Sequence, residues 1–154
     1  MHPIRRALRT SLVALAPCLL IVLLTTASVG AQAELQRAGV VVQYGDGRVE
    51  TACVAFSEPE LDGLELLARA GLPVIAQSSG MGAAVCKIGP EGCDYPAEGC
   101  FCRREGPRSI YWAFYTLDGD AWAYANLGAS SSLARDGDVH GWAWGLGENG
   151  AGAT

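Results

Sequence analysis

The sequence predicts an α+β domain in which a mixed sheet packs on one short helix, with a disulfide-braced loop inserted between strands. Three observations predict it. Runs rich in β-branched and aromatic residues recur along the chain and are separated by Asp-Gly turn signals. Residues 57–73 combine a helical apolar period with a start and a stop signal. Four cysteines crowd into residues 86–102, and the surrounding prolines and glycines suit neither element.

The chain has 154 residues, half of them hydrophobic and 18% charged, with 20 glycines and a formal net charge of −5. These values exclude a disordered acidic chain, a collagen and a coiled coil, and they suit one domain. Arg5, Arg6 and Arg9 precede an apolar run, residues 12–24, broken only by Pro17. Ala31-Gln32-Ala33 then supplies a small-x-small cleavage pattern, so residues 1–33 read as a signal peptide cut after Ala33. An uncleaved N-terminal anchor is the competing reading, because residues 10–33 carry no charge and are long enough to span a bilayer. Thr25, Thr26, Ser28, Gly30 and Gln32 make that span polar and favour cleavage. Pro17 before Cys18 and the apolar residues after it do not suit a lipid anchor.

Export places the protein outside the cytosol: secreted, periplasmic or at the cell surface. Losing Arg5, Arg6 and Arg9 leaves eight basic against sixteen acidic residues, a net charge of −8. Such a surface repels phosphate backbones, which excludes nucleic acid as a partner. In an oxidising compartment Cys53, Cys86, Cys93, Cys100 and Cys102 are disulfide candidates, giving two bridges and one thiol left over. Connectivity stays open, although Cys100 and Cys102 are poor partners for each other across one residue. Their spacings lack the C-x2-C pair of a zinc ribbon, so no metal site and no cofactor is assigned. The leftover thiol makes a disulfide-linked homodimer a candidate assembly.

In chain order, Val40-Val41-Val42-Gln43-Tyr44 and residues 48–56 flank Gly45-Asp46-Gly47 and predict a hairpin. Ser57, Pro59 and Glu60 predict a helix start with a capping box. Leu61, Leu64, Leu67 and Ala68 form its apolar stripe over about three turns, and Gly71 with Pro73 ends it. Residues 83–88 read as a third strand, and residues 89–108 as a long cross-linked loop. Residues 111–116, 121–125 and 139–145 read as strands separated by the turns Asp118-Gly119-Asp120 and Asp136-Gly137-Asp138. Residues 146–154 read as a flexible tail, so the domain proper is residues 34–145.

All four tryptophans lie in the last third. Alternation places Trp112 with Phe114, Trp122 with Tyr124, and Trp142 with Trp144 on shared faces. The faces opposite are small in two strands, with Ala121, Ala123 and Ala125, and Gly141, Ala143 and Gly145, while Tyr111 and Tyr115 break that rule. Trp112, Trp142 and Trp144 are expected in the core, and Trp122, next to a turn, is expected to be exposed.

A hairpin, one helix and further strands is the β-grasp, or ubiquitin-like, arrangement. Leu64-Glu65-Leu66-Leu67, Ala70-Gly71-Leu72, residues 82–88, Tyr111-Trp112, residues 122–129, Gly137-Asp138-Val139 and Gly141-Trp142 carry a resemblance. Over residues 38–145 the chain resembles bacterial exported domains similar to the C-terminal domain of transcobalamin. That resemblance implies a β-grasp fold and a domain that covers one face of a cobalamin-like ligand. It carries over no individual contact residue.

Catalytic patterns are sparse. His140 is the only histidine after residue 33, and next to a turn it reads as a strand-end surface residue. No G-x-S-x-G elbow is present. The G-x-G-x-x-G of residues 145–150 has no following helix to present to a phosphate. The two Asp-Gly-Asp turns lack the further oxygens of a calcium loop. The expectation is therefore a non-enzymatic exported domain binding a small-molecule ligand or a membrane transporter component, assisting uptake of a cobalamin-like nutrient. Trp122, Tyr124, Tyr111, Ser130 and Ser131 are its candidate contacts. A carbohydrate-binding module or a purely structural cell-surface protein is the alternative.

Overall fold

The computed structural model describes residues 34–80 and 82–147. The signal-peptide and anchor readings, and residues 148–154 of the tail, lie outside those residues. Among the described residues no helix is long and apolar enough to cross a membrane.

More than half of the described residues are in strands, and one α-helix is present among them. The strands are β1 (Gln36–Gln43), β2 (Val49–Phe56), β3 (Leu61–Asp62), β4 (Val74–Ser79), β5 (Gly82–Ile88) and β6 (Glu91–Gly92). They continue with β7 (Arg103–Glu105), β8 (Arg108–Asp118), β9 (Ala121–Tyr124), β10 (Leu133–Ala134) and β11 (Val139–Gly145). The helix α1 is Gly63–Arg69, and a 3-10 turn covers Ala129–Ser131. The principal sheet runs β2-β1-β11-β8-β7, with β9 also paired to β8. Its β1–β11 pair is parallel and its other pairs are antiparallel. Two small sheets, β4-β5-β6 and β10-β3, complete the fold.

This corrects the expected α+β β-grasp class. The architecture is mostly β and spread over three sheets, and the helix is a seven-residue element rather than three turns. The difference begins at the helix start. Leu61 and Asp62 pair with Ala134 and Leu133, so the chain is still extended where the capping box predicted helix. Asp62, not Ser57, caps α1 by accepting the Glu65 amide at 2.9 Å. The buried side chains of the segment are Leu61, Leu66 and Leu67, while Leu64 is half-buried and Ala68 is exposed.

The N-terminal hairpin forms with Gln43 opposite Val49, and the Tyr44 amide closes it on the Arg48 carbonyl at 2.8 Å. Alternation along β1 sends Ala38, Val40 and Val42 inward, where they meet Phe56, Leu66, Leu67, Phe114 and Trp142. The other face of β8 and β11 holds a smaller cluster of Ala113, Tyr115 and Ala143, joined by Tyr111 and Trp122. Gly141 makes this second layer possible. A Cβ there would lie 2.7 Å from Trp122 Cζ3, so the ring closes onto bare backbone.

Residues 89–108 are cross-linked as expected, and the open connectivity resolves to Cys86–Cys100 and Cys93–Cys102. Cys53 is the free thiol among the described cysteines and is exposed on β2. Two structural disulfides belong to an oxidising compartment. The loop also contains β6 and β7, and its turn into Cys93 needs glycine. Gly92 has φ +129°, and a Cβ there would sit 2.2 Å from the Cys86 carbonyl oxygen.

Candidate functional site

β7 and β9 pair with the same edge of β8 but do not meet. The β7 pairing ends at Arg103 opposite Ile110, and the β9 pairing begins at Tyr124 opposite Tyr115. Between them the β8 edge is open at residues 111–113, since the Ala125 amide still bonds to the Phe114 carbonyl at 3.0 Å. Strand alternation then turns the N–H and C=O of Trp112 toward this notch.

A cleft of about 300 Å³ occupies the notch. Trp112, Phe114 and Trp142 contribute aromatic surface, Ala83–Val85 of β5 forms a wall, and residues 125–129 form a loop along it. Its rim is unusually apolar for exposed surface: Phe101 is 52%, Tyr124 39% and Leu127 61% exposed. Two internal bonds hold this rim. The Tyr111 and Tyr124 hydroxyls lie 3.1 Å apart, and the Cys86–Cys100 bridge ties the residue before Phe101 to β5. Burial pushes the Tyr111 phenol well above its ordinary pKa, and the Tyr124 hydroxyl adds to the rise, so Tyr111 is neutral and able to donate near pH 7.

The five sequence-predicted contacts divide. Tyr111 and Tyr124 line the cleft together. Ser130 lies beside it, but its Oγ accepts the Ala83 amide at 2.8 Å and so fixes the loop to β5. Ser131 is exposed and closes the 3-10 turn through its amide, which donates to the Gly128 carbonyl at 2.9 Å. Trp122 is half-buried against Gly141 in the second cluster and is not part of the cleft. Sequence reasoning missed Phe101, because it lies in the irregular loop and reaches the site through a disulfide. It also missed Leu127, although a bare leucine beside Gly128 was a usable signal. Of the three tryptophans expected in the core, Trp112 and Trp142 are buried and Trp144 is half-buried.

His140 is not a surface residue. It is 2% exposed on the central strand β11, edge-on to Phe114 with ring centroids 5.1 Å apart, and lies under Gly63. Burial holds its pKa below the ordinary value, against a weaker opposing pull from Asp138. Folding thus favours the neutral ring, and its contribution is complete above the unfolded-state pKa of about 6.5. As the pH falls below that value the unfolded chain takes up the proton first, so stability drops. The expected slope is at most about 1.4 kcal/mol per pH unit, the limit for one proton. Urea midpoints measured from pH 7.5 to 5.5 should fall for the native protein and stay flatter for His140→Leu.

Two metal-like constellations have internal roles. Asp136 Oδ1 accepts the Arg37 amide at 2.7 Å and Asp138 Oδ2 accepts the Arg135 amide at 2.8 Å, so that turn docks onto β1. Cys93, Glu98 and Cys102 come together, but the two sulfurs are bonded to each other.

Residues 104–154 match the family model of the SCO2322-like domain, which spans β8, β9, β11 and the notch-forming loop. No curated protein matches the chain. Among solved structures, a crystal structure of a candidate metal-binding protein from Ruminococcus gnavus superposes with a TM-score of 0.54 and 17% identity. The likeness covers 73% of this chain and 98% of that one. At that identity it shows the fold alone.

Proposed function

We propose that the protein is an exported, non-catalytic binding domain whose edge notch grips one edge of a ring-shaped ligand larger than the notch, the remainder of the ligand staying in solvent. One observation carries the reading: Phe101, Tyr124 and Leu127, three of the exposed large hydrophobic side chains, converge on one cleft walled by further aromatics. The resemblance to transcobalamin-type domains supplies the first ligand class to test, a corrinoid, and with it a role beside an uptake transporter. The Trp112 main chain and the Tyr111–Tyr124 hydroxyl pair supply the polar contacts that would orient it.

A metal reading carried over from the Ruminococcus gnavus structure does not fit the one clustered donor group among the described residues. While Cys93–Cys102 is closed, that group offers one carboxylate and no thiolate. Among the described cysteines Cys53 is the group available for a covalent dimer, which a non-reducing gel with Cys53→Ala as control would show.

Equilibrium dialysis against cobinamide tests the proposal. Saturable binding is expected, and Tyr124→Ala, which removes an exposed ring and one hydroxyl, should weaken it about ten-fold. Binding equal in the two proteins would take Tyr124 out of the site. Absence of binding to cobinamide together with saturable binding to neutral oligosaccharides would transfer the notch to the carbohydrate reading.

A further inference from the structure

A second cleft, of about 530 Å³, shares no lining residue with the notch. Tyr44, Glu91, Arg103, Arg104, Ile110 and Trp144 are among the residues that form it. Two of the guanidinium groups without a carboxylate partner among the described residues meet here; Arg37 on β1 is another. Arg48, Arg69, Lys87 and Arg135 are each paired with a carboxylate. Arg103 and Arg104 are exposed on β7 and have no such pair among the described residues. Arg104 donates Nη2 to the Pro107 carbonyl at 2.7 Å, a bond that leaves its positive charge unbalanced.

Two carboxylates also face this cleft, and both are already held by main-chain amides. Glu91 Oε2 accepts from Gly45 at 2.8 Å, and Asp46 Oδ1 accepts from Arg48 at 2.9 Å. On a chain of net charge −8 after residue 33 they disfavour a polyanion and leave the two guanidinium groups to one negative group. Planar guanidinium forks match a carboxylate in a bidentate geometry. Beside them, half-buried Trp144 provides aromatic surface for a ring, while Tyr44 is buried with Arg48 stacked on its ring at 3.8 Å.

We infer that this second cleft binds a small organic carboxylate carried on a ring, the carboxylate held by Arg103 and Arg104 and the ring laid on Trp144. Aromatic acids and acidic sugars share that chemistry. The test titrates sodium benzoate and sodium glucuronate into the oxidised protein and follows the Trp144 indole N–H resonance, with benzamide and glucose as uncharged controls. At least one carboxylate should move that signal saturably while its uncharged counterpart does not, and the responding probe identifies the ring type. The double variant R103A/R104A should weaken binding at least about ten-fold, since two charge-assisted contacts are lost. Both side chains are exposed on a three-residue edge strand, so the fold should persist, and unchanged indole signals in the unliganded variant would verify it. Failure of both carboxylates, equal response to the uncharged controls, or an unweakened double variant would overturn the inference. Cobinamide binding at the notch is read at Trp142 and with Tyr124→Ala, neither of which lines this cleft, so failure at the notch and failure here are read separately.

Discussion

Replacing Cys86 and Cys100 together by alanine is expected to destabilise the oxidised domain by about 3 kcal/mol, the loop-closure value for a bridge of this span. The bridge joins residues 14 apart in sequence, and both sulfurs are buried beside Ala84, whose carbonyl each approaches. In a domain of this size that loss lowers the melting temperature by roughly 10–20 °C. It should also weaken ligand binding at the notch, because Phe101 follows Cys100 and Ala84 forms the facing wall. Calorimetry of C86A/C100A against C53A checks it. Cys53 is free and exposed, so its removal should stay within about 0.5 kcal/mol. Equal melting temperatures for the two variants would contradict a bracing role for the bridge.

Trp142→Ala is expected to cost about 3–5 kcal/mol, the range for truncating a fully buried aromatic. Trp142 sits at the centre of β11, opposite Val42 on the parallel side and Phe114 on the antiparallel side. Its ring lies 5.0 Å from Phe114 and is almost wholly buried. No neighbouring strand can collapse into the void, because β1 and β8 are fixed by pairing on both sides of β11. Trp122→Ala, on the thinner layer over Gly141, should cost less than half as much. Urea unfolding of the two variants separates them, and equal losses would show that the two aromatic layers carry equal weight.

Local chemistry made much of the fold legible. Asp-Gly turns and alternation located the first hairpin and the strands β5, β8, β9 and β11 to within a few residues, and cysteine content, with export expected, predicted two bridges. Three of the failures share a physical cause, which is pairing or packing between segments distant in sequence. Leu61-Asp62 has the apolar period of a helix, yet its extended conformation is imposed by Leu133-Ala134, seventy residues on. β4 and β7 have a different origin: each pairs with the strand that follows it, Ser79 opposite Gly82 and Glu105 opposite Arg108, so their signals were local. His140 looked superficial beside its turn because nothing local reveals that β11 lies between β1 and β8. Trp122 looked exposed for the same reason, since its cover is the missing side chain of Gly141. At the site, Tyr111 and Tyr124 were legible as aromatics on adjacent strands. The notch itself was not, because it arises from two short edge strands that stop short of each other.

The indole N–H resonances of Trp142 and Trp122 test the central claim most directly, since they report from two separate places. Trp142 lines the notch and Trp122 lies in the other cluster, whereas the Trp112 N–H donates to the Glu91 carbonyl of the second cleft and its ring packs on Trp144. Titration of the oxidised protein with cobinamide should shift Trp142 and leave Trp122 unmoved. An unmoved Trp142 signal at saturating ligand, or a shift confined to Trp122, would contradict a ligand site in the edge of the sheet.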